Sequence, residues 1–369
     1  VWIMAYTTID DPAVYFQTKL YTGTSSDHAV TLDADTDMAP NLVWIKDRDY
    51  GNYHVLFDTV RGVENSLIPS ENLAEANQHA TGYLSVFGSD GFTVIAGSTN
   101  PNNVNTDAHK YVAWNWKAGT TSGLTTNAST DITPSAYSFN QTAGFSTLAY
   151  TGNQTSGAKL AHGLGVKPDM VITKSTAAAS GWGVYHKSLG ATYGMLLNTT
   201  AAKDDDATAW NDVEPDTVNI TLGSSINTNK TGTCVGYAFA EKQGYSKFSS
   251  YVGNGNADGK FIYLGFRPAF IMWKGTASTQ NWMLVDNKRD VSNLSNSLND
   301  VAFPNSSQVP NDGETFLDVL SNGFKIRTTE AGVNSSGEVH IYMAFAENPF
   351  VTSTGVPVCA RWLCSYLLT

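Results

Sequence analysis

Charge is scarce in this sequence. Asp, Glu, Lys and Arg make up 15% of its 369 residues, against roughly 25% in an average soluble protein. Basic residues are the scarcer sign: 22 Lys and Arg face 33 Asp and Glu, for a net charge of −11, and they form no run. Neutralising a phosphate backbone needs clustered cations, so no nucleic-acid partner is expected, and an anionic membrane surface is disfavoured on the same ground. No apolar stretch reaches the ~18 residues of a membrane span, so no membrane insertion is expected. The N-terminus lacks the basic start and apolar core of a signal peptide, and Met4 reads as the natural start. Cysteine is nearly absent. Cys234, Cys359 and Cys364 give neither an even framework nor a CxxC pair. Cys359 and Cys364 read as free thiols, with one short-loop disulfide as the alternative.

What is present is apolar and aromatic. Hydrophobic residues reach 41% and aromatics 11%, enough for a sizeable interior. With so little charge, Ser, Thr, Asn and Gly must cover much of the surface, as in β-rich extracellular and viral surface proteins. At the usual ~100 to 200 residues per domain, the length fits two or three domains.

The strongest signal is an internal repeat. Tyr-centred segments followed by a Gly turn occur at Leu20-Tyr21-Thr22-Gly23, Ala149-Tyr150-Thr151-Gly152 and Ser250-Tyr251-Val252-Gly253. After each comes a run opened by proline and closed by lysine: Pro40 to Lys46, Pro168 to Lys174, and Pro268 to Lys274. Aromatics follow at Tyr53, Trp182 and Trp282, then Asp58, His186 and Asp286, with Arg61 and Arg289 three residues past their Asp. The copies close on Asp90-Gly91-Phe92, Asp216-Thr217-Val218 and Asn322-Gly323-Phe324. Last come Tyr111-Val-Ala-Trp114, Gly236-Tyr-Ala-Phe239 and Tyr342-Met-Ala-Phe345.

The residues between Pro and Lys are β-branched, aromatic or large aliphatic. They are too few for a helix and follow a residue that cannot donate to a ladder, so they read as buried strands. The expected fold is all-β: three tandem diverged β-sandwich-like modules with very little helix. The expected layout is an N-terminal arm (1–14), module one (15–119), a Ser/Thr-rich connection (120–143), module two (144–242), module three (245–350) and a C-terminal tail (351–369). The one expected helical turn is Ser70 to Asn77, with Ser70 as cap. The short second junction implies a compact triplet rather than beads on a string.

Few constellations suggest chemistry. Asp33, Asp35 and Asp37 could present three carboxylates to a divalent ion if they lay on a strand, and Asn254, Asn256 and Asp258 match the first half of a calcium loop. That loop's twelfth position is Gly265 instead of Glu, so an acidic edge and a polar hairpin are the expected readings. Asp204 to Asp206 reads as a solvated loop. His54, His162 and His186 have no Ser or Cys nucleophile in a recognised elbow. His186 fills the slot that Asp takes twice, which points to a structural slot, with Arg61 and Arg289 pairing to Asp58 and Asp286. No catalytic residue, cofactor or metal is expected. Trp182, Trp210 and Trp282, set among Gly, Ser, Thr, Asn and Asp, are the expected exposed stacking surface for a ligand.

The opening Met4-Ala-Tyr-Thr-Thr-Ile-Asp-Asp-Pro-Ala-Val-Tyr-Phe-Gln-Thr-Lys-Leu-Tyr-Thr-Gly23, with Leu42-Val-Trp-Ile-Lys46, His162-Gly-Leu-Gly165, Tyr251-Val-Gly-Asn-Gly255 and Ile341 to Phe350, resembles a repeat family. That family occurs in tail-fibre-like structural proteins of aquatic tailed bacteriophages, of the cyanophage and pelagiphage kind. The resemblance runs from Met4 to about Arg361 and implies a place in the virion, exposed on the particle, without implying a mechanism. The expected role is host attachment through a surface glycan or receptor, with other virion proteins as partners. The alternatives are a capsid-decoration or tail-wall bracing protein and, more weakly, a polysaccharide depolymerase. A homotrimer and a single chain with internal threefold pseudo-symmetry both fit.

Overall fold

The three proline-opened runs are central strands of three antiparallel sheets with one common strand order. The structure is a computed structural model that describes residues 5–77, 80–98, 103–290, 297–311, 313 and 315–358. Met4, Cys359 and Cys364 lie outside the described residues. In module one the strands are β1 (Phe16–Thr22), β2 (Leu42–Asp47), β3 (Val55–Asp58) and β4 (Lys110–Trp116). In module two they are β5 (Phe145–Gly152), β6 (Met170–Ser175), β7 (Trp182–His186) and β8 (Gly232–Phe239). In module three they are β9 (Ser246–Val252), β10 (Phe266–Gly275), β11 (Met283–Asp286) and β12 (Val339–Pro349). The spatial orders are β1-β4-β2-β3, β5-β8-β6-β7 and β9-β12-β10-β11. The chain is all-β; among the described residues the α-helical segments are single turns, Ala207–Trp210 and Ala331–Asn334. The expected turn at 70–77 is not helical, and Ala76–Asn77 pairs instead with Asn65–Ser66.

Side chains on a strand alternate between faces, and here both faces are buried. Leu42 and Trp44 of β2 enter a central core, while Val43 and Ile45 enter a core private to module one. The same division holds for Met170 and Ile172 against Val171, and for Phe270 and Met272 against Ile271 and Trp273. Each private core is closed by a smaller sheet. In module one that sheet comprises His28–Thr31, Gly91–Ala96 and Gly82–Gly88. In module two Ala158–Ala161 pairs with Asn219–Leu222, and in module three Phe261–Tyr263 leads a four-stranded sheet.

The central core belongs to all three modules at once. Trp116, Phe239 and Phe345 occupy equivalent places, opposite Leu42, Met170 and Phe270. Their ring centroids form a triangle with sides of 6.4, 6.0 and 5.7 Å, which marks a pseudo-threefold axis.

Register also corrects three repeat correspondences. The closing triplet of module two is Val218-Asn219-Ile220 and not Asp216-Thr217-Val218, since Ile220 takes the place of Phe92 and Phe324. Trp116, not Trp114, matches Phe239 and Phe345, because the Asn115-Trp116 continuation of β4 carries the strand two residues further. His54, not Tyr53, faces the strand-ending lysine, as Trp182 faces Lys174. The Ser/Thr-rich connection at 120–143 is no free linker, since Ala136–Asn140 pairs along β5 and closes that sheet edge.

Cys234 is a buried free thiol. A buried asparagine outside the landmarks of the sequence repeat recurs in every module. Asn105, Asn229 and Asn334 each accept the backbone N–H of Thr24, Asn153 or Asn254 at 2.8–2.9 Å. Each also donates from Nδ2 to a carbonyl two residues on, at Ser26, Thr155 or Asn256. Beside it, the Tyr21, Tyr150 and Tyr251 hydroxyls each donate to a carbonyl, at Val104, Thr228 and Val333.

Because the central core is shared, Trp116→Ala should cost about 3–5 kcal/mol and lower the melting of the whole chain as one transition. Calorimetry tests this: a separate transition for one module would contradict a common core.

Candidate functional site

The chemistry-bearing residues of the repeat meet at the seams between modules. Module one contacts three, three contacts two, and two contacts one. Trp114 Nε1 donates to Asp286 Oδ2 at 3.0 Å, and the Tyr237 hydroxyl donates to Asp58 Oδ2 at 2.7 Å. Each carboxylate is also held by the expected arginine, Arg289 Nε at 2.5 Å and Arg61 Nε at 2.6 Å. At the third seam the equivalent of Trp114 and Tyr237 is Met343, which has no proton to give, and the slot residue is His186. The His186 Nδ1 accepts from Ser188 N at 3.1 Å, which leaves the proton on Nε2 to donate to the Tyr342 carbonyl at 3.1 Å. Leu189 stands where the other modules carry arginine. The exchange of Asp for His therefore follows its partner: with no donor and no guanidinium, a buried carboxylate would be uncompensated.

Lys46, Lys174 and Lys274 are each fully buried, with ammonium groups held mainly by backbone carbonyls. Lys46 Nζ lies 2.8 Å from Asn52 O and 3.4 Å from Ser307 O of module three, and Lys174 Nζ lies 3.0 Å from Ser180 O and 3.4 Å from Asn72 O of module one. Lys274 Nζ lies 2.9 Å from Gly275 O. Burial pushes all three down to about 8. A depressed lysine in a cavity is a familiar nucleophile, but these ammonium groups fasten loops through backbone carbonyls.

The structure overturns the expected stacking surface. Trp182, Trp210 and Trp282 are at most 1% exposed. Trp182 Nε1 donates across a seam to Ile68 O and Glu71 O, both at 3.1 Å, and Trp282 Nε1 donates to Leu196 O at 3.0 Å. Trp210 ends a one-turn helix and packs on Tyr185. Polar neighbours in sequence suggested exposure; the covering surface comes from another module or a distant loop, which local composition does not register.

The metal candidates resolve into ordinary loops. Asp33, Asp35 and Asp37 lie exposed beyond the end of His28–Thr31, so no strand aligns them. Asn254 and Asn256 side chains accept the backbone N–H two residues on, and Asp258 pairs with Lys325. Asp204–Asp205 is a short edge strand, and Asp206 caps the helix at 207–210. No group of His, Cys, Asp or Glu suited to a metal ion occurs among the described residues. His54 and His162 are buried, with Nδ1 of His54 accepting from Trp44 Nε1 and that of His162 from Leu164 N.

The surface feature that sequence reasoning missed lies on the small sheet of module three. Phe261 and Tyr263 are 45% and 53% exposed and flank the buried Ile262. Tyr263 is braced by Tyr6, whose hydroxyl lies 3.2 Å from the Tyr263 hydroxyl and donates to Gly265 O at 2.9 Å. Gly265 has φ +82°, and a Cβ there would sit 2.3 Å from the Tyr6 hydroxyl, so this approach needs glycine. Across the sheet, Phe261 is in register with Lys325, and Lys325 with Asp318. Lys325 pairs with Asp258 at 2.8 Å and Asp318 with Arg327 at 3.0 Å. The repeat supplies its own control. By register the same positions are Ala29 and Thr31 in module one and Lys159 and Ala161 in module two. The fold does not require aromatics here. Alternation with a single buried residue at Phe261-Ile262-Tyr263 was the available signal.

Burial lowers His162 and His186 to about 4, below the unfolded value near 6.5. The unfolded chain then binds the extra protons, so stability is full above pH 6.5 and falls as pH drops toward 4, by on the order of 3 kcal/mol per histidine. Melting temperature against pH should show this slope, to which the buried His54 and His340, also lowered by burial, add. His186→Gln, which still donates to Tyr342 O, should remove only its own share, on the order of 3 kcal/mol. An unchanged slope would contradict the assignment. A second variant tests the seam. His186→Asp should cost about 3–5 kcal/mol in denaturant unfolding, and adding Leu189→Arg with Met343→Tyr should recover most of it.

No curated protein and no solved structure matches the chain. A family model, "Domain of unknown function (DUF7483)", matches residues 11–349, from the N-terminal arm to the last residue of β12. The chain belongs to that family.

Proposed function

We propose that this chain is a virion surface protein of a tailed phage that attaches to the host through the outer face of module three's small sheet. The observation that carries this reading is the exposed Phe261–Tyr263 pair, placed where both sister modules have small or polar residues. Exposed rings beside paired charges suit a sugar: the rings stack on its apolar face, and Lys325, Asp258, Asp318 and Arg327 meet its hydroxyls. The seams support a non-catalytic role, because their titratable groups are spent on inter-module hydrogen bonds. The phage-family resemblance supplies the particle. A shallow face of this kind binds weakly by itself and gains strength through many copies.

Purified full chain should bind intact host cells saturably and slow phage adsorption in competition. Phe261→Ala with Tyr263→Ala should weaken binding at least about tenfold while leaving the melting temperature within about a degree, since neither ring is in the core. Binding only to assembled particles would replace attachment with the bracing role. A fall in polysaccharide chain length on incubation would replace it with a depolymerase.

A further inference from the structure

We propose that the groove between modules one and three binds a primary ammonium group carried on an aliphatic chain. The groove has a volume of about 420 Å³, and Asp10, Asp11, Gln17, Thr18, Asp35 and Asn287 contribute to its lining. The other two seams show what belongs at this position. By register, Gln17 matches Lys247 and Ser146, while Asn287 matches Lys187 and Thr59. Glu347 matches Glu241 and Ala118, and Ala269 matches Asp169 and Asn41.

Between modules three and two, lysines close the corner. Lys187 Nζ lies 3.0 Å from Asp169 and 2.8 Å from Glu241, and Lys247 Nζ lies 2.7 Å from Glu241. Between modules two and one, neutral groups close it: Asn41 donates to Thr59 Oγ1 at 3.1 Å and accepts from Ala118 N at 2.8 Å. Between modules one and three both lysine positions carry amides, and the corner is open.

The opening has unmet hydrogen-bonding capacity. Thr18 is 5% exposed, and neither its hydroxyl nor the buried Asn287 Oδ1 has a partner among the described residues. The walls are acidic. Asp33 pairs with Lys19, Glu347 with Arg267 and Asp10 with Ser353, while Asp11 and Asp35 add carboxylates. Lys288 also lines the groove and is exposed.

An ammonium offers three N–H donors, which match an amide oxygen, a hydroxyl and a carboxylate. Ala269, with the nearly buried Phe16 and Ala346 behind it, gives the groove a small apolar floor against which the stem rests. The ligand supplies in trans the charge that Lys187 supplies at the sister seam. A partner protein's lysine and a free alkylamine share this chemistry. This inference does not rest on the attachment reading.

The test is titration of the full chain, at low salt, with pentylammonium, with neutral pentanol and with the peptide acetyl-Gly-Lys-Gly-amide, followed by calorimetry or NMR. Pentylammonium should bind saturably with a Kd on the order of 1 mM, and pentanol should not. Tighter binding of the peptide identifies a protein lysine as the source; equal or weaker binding identifies a free amine. Asn287→Lys should place the sister lysine in the groove, raise the melting temperature and weaken pentylammonium at least about tenfold. Asp35→Asn, an exposed change that leaves the fold intact, should weaken it about threefold. Equal binding of pentanol, no saturation, or pentylammonium affinity unchanged in both variants would overturn the proposal.

Discussion

A sheet that is apolar on both faces cannot end in water, and every main sheet of this chain is of that kind. Each needs one cover for its outer face and another for its inner face. The small sheets provide the first. The second comes from the other main sheets, and three of them facing one axis cover one another's apolar faces, with Trp116, Phe239 and Phe345 at the centre. The seams follow from this. Once three sheets are set edge against face in a cycle, each seam brings backbone ends and polar side chains out of water, and each must be satisfied locally. The buried lysines, the Asp–Arg pairs and the indole N–H groups of Trp114, Trp182 and Trp282 meet much of that demand, and Thr18 and Asn287 at the seam of modules one and three leave part of it unmet.

The three sheets share one strand order, and the residues at their seams differ in compensating sets. Where Trp114 or Tyr237 donates, an aspartate accepts and an arginine holds it. Where Met343 cannot donate, a histidine both accepts and donates, and the arginine has become Leu189. The three changes are consistent only as a group. The same comparison separates what the fold needs from what it tolerates, and it directs attention to Phe261, Tyr263 and the open groove beside Asn287.

Much of the fold was legible because it is written in local order. Apolar composition, shortness and a leading proline mark the Pro-to-Lys runs as strands, and the Asp58 and Asp286 pairings to arginine three residues on were readable from spacing alone. What was not legible depends on distant covering. Trp182 and Trp282 sit among polar neighbours in sequence and are buried by another module's carbonyls. The connection at 120–143 has a linker's composition and is ordered by pairing to β5. Asn105, Asn229 and Asn334 are not legible in the sequence, because a single polar residue in a loop carries no periodic signal. Tyr6 and Tyr263 are 257 residues apart, so the aromatic face they share could not be assembled from a linear pattern.

The two ends of the described chain meet at one corner. Asp10 accepts hydrogen bonds from the backbone N–H and hydroxyl of Ser353, and Phe350 N bonds to Gly265 O beside Tyr6. A pull between the ends therefore acts on exposed hydrogen bonds at the seam of modules one and three before it reaches the buried centre. Those contacts would part first, as a mechanical fuse, and the two seams that the chain itself crosses would carry load only afterwards. The groove lies at that same corner, with Asp10 in its lining, so whatever fills it would also stiffen the joint that no chain connection crosses.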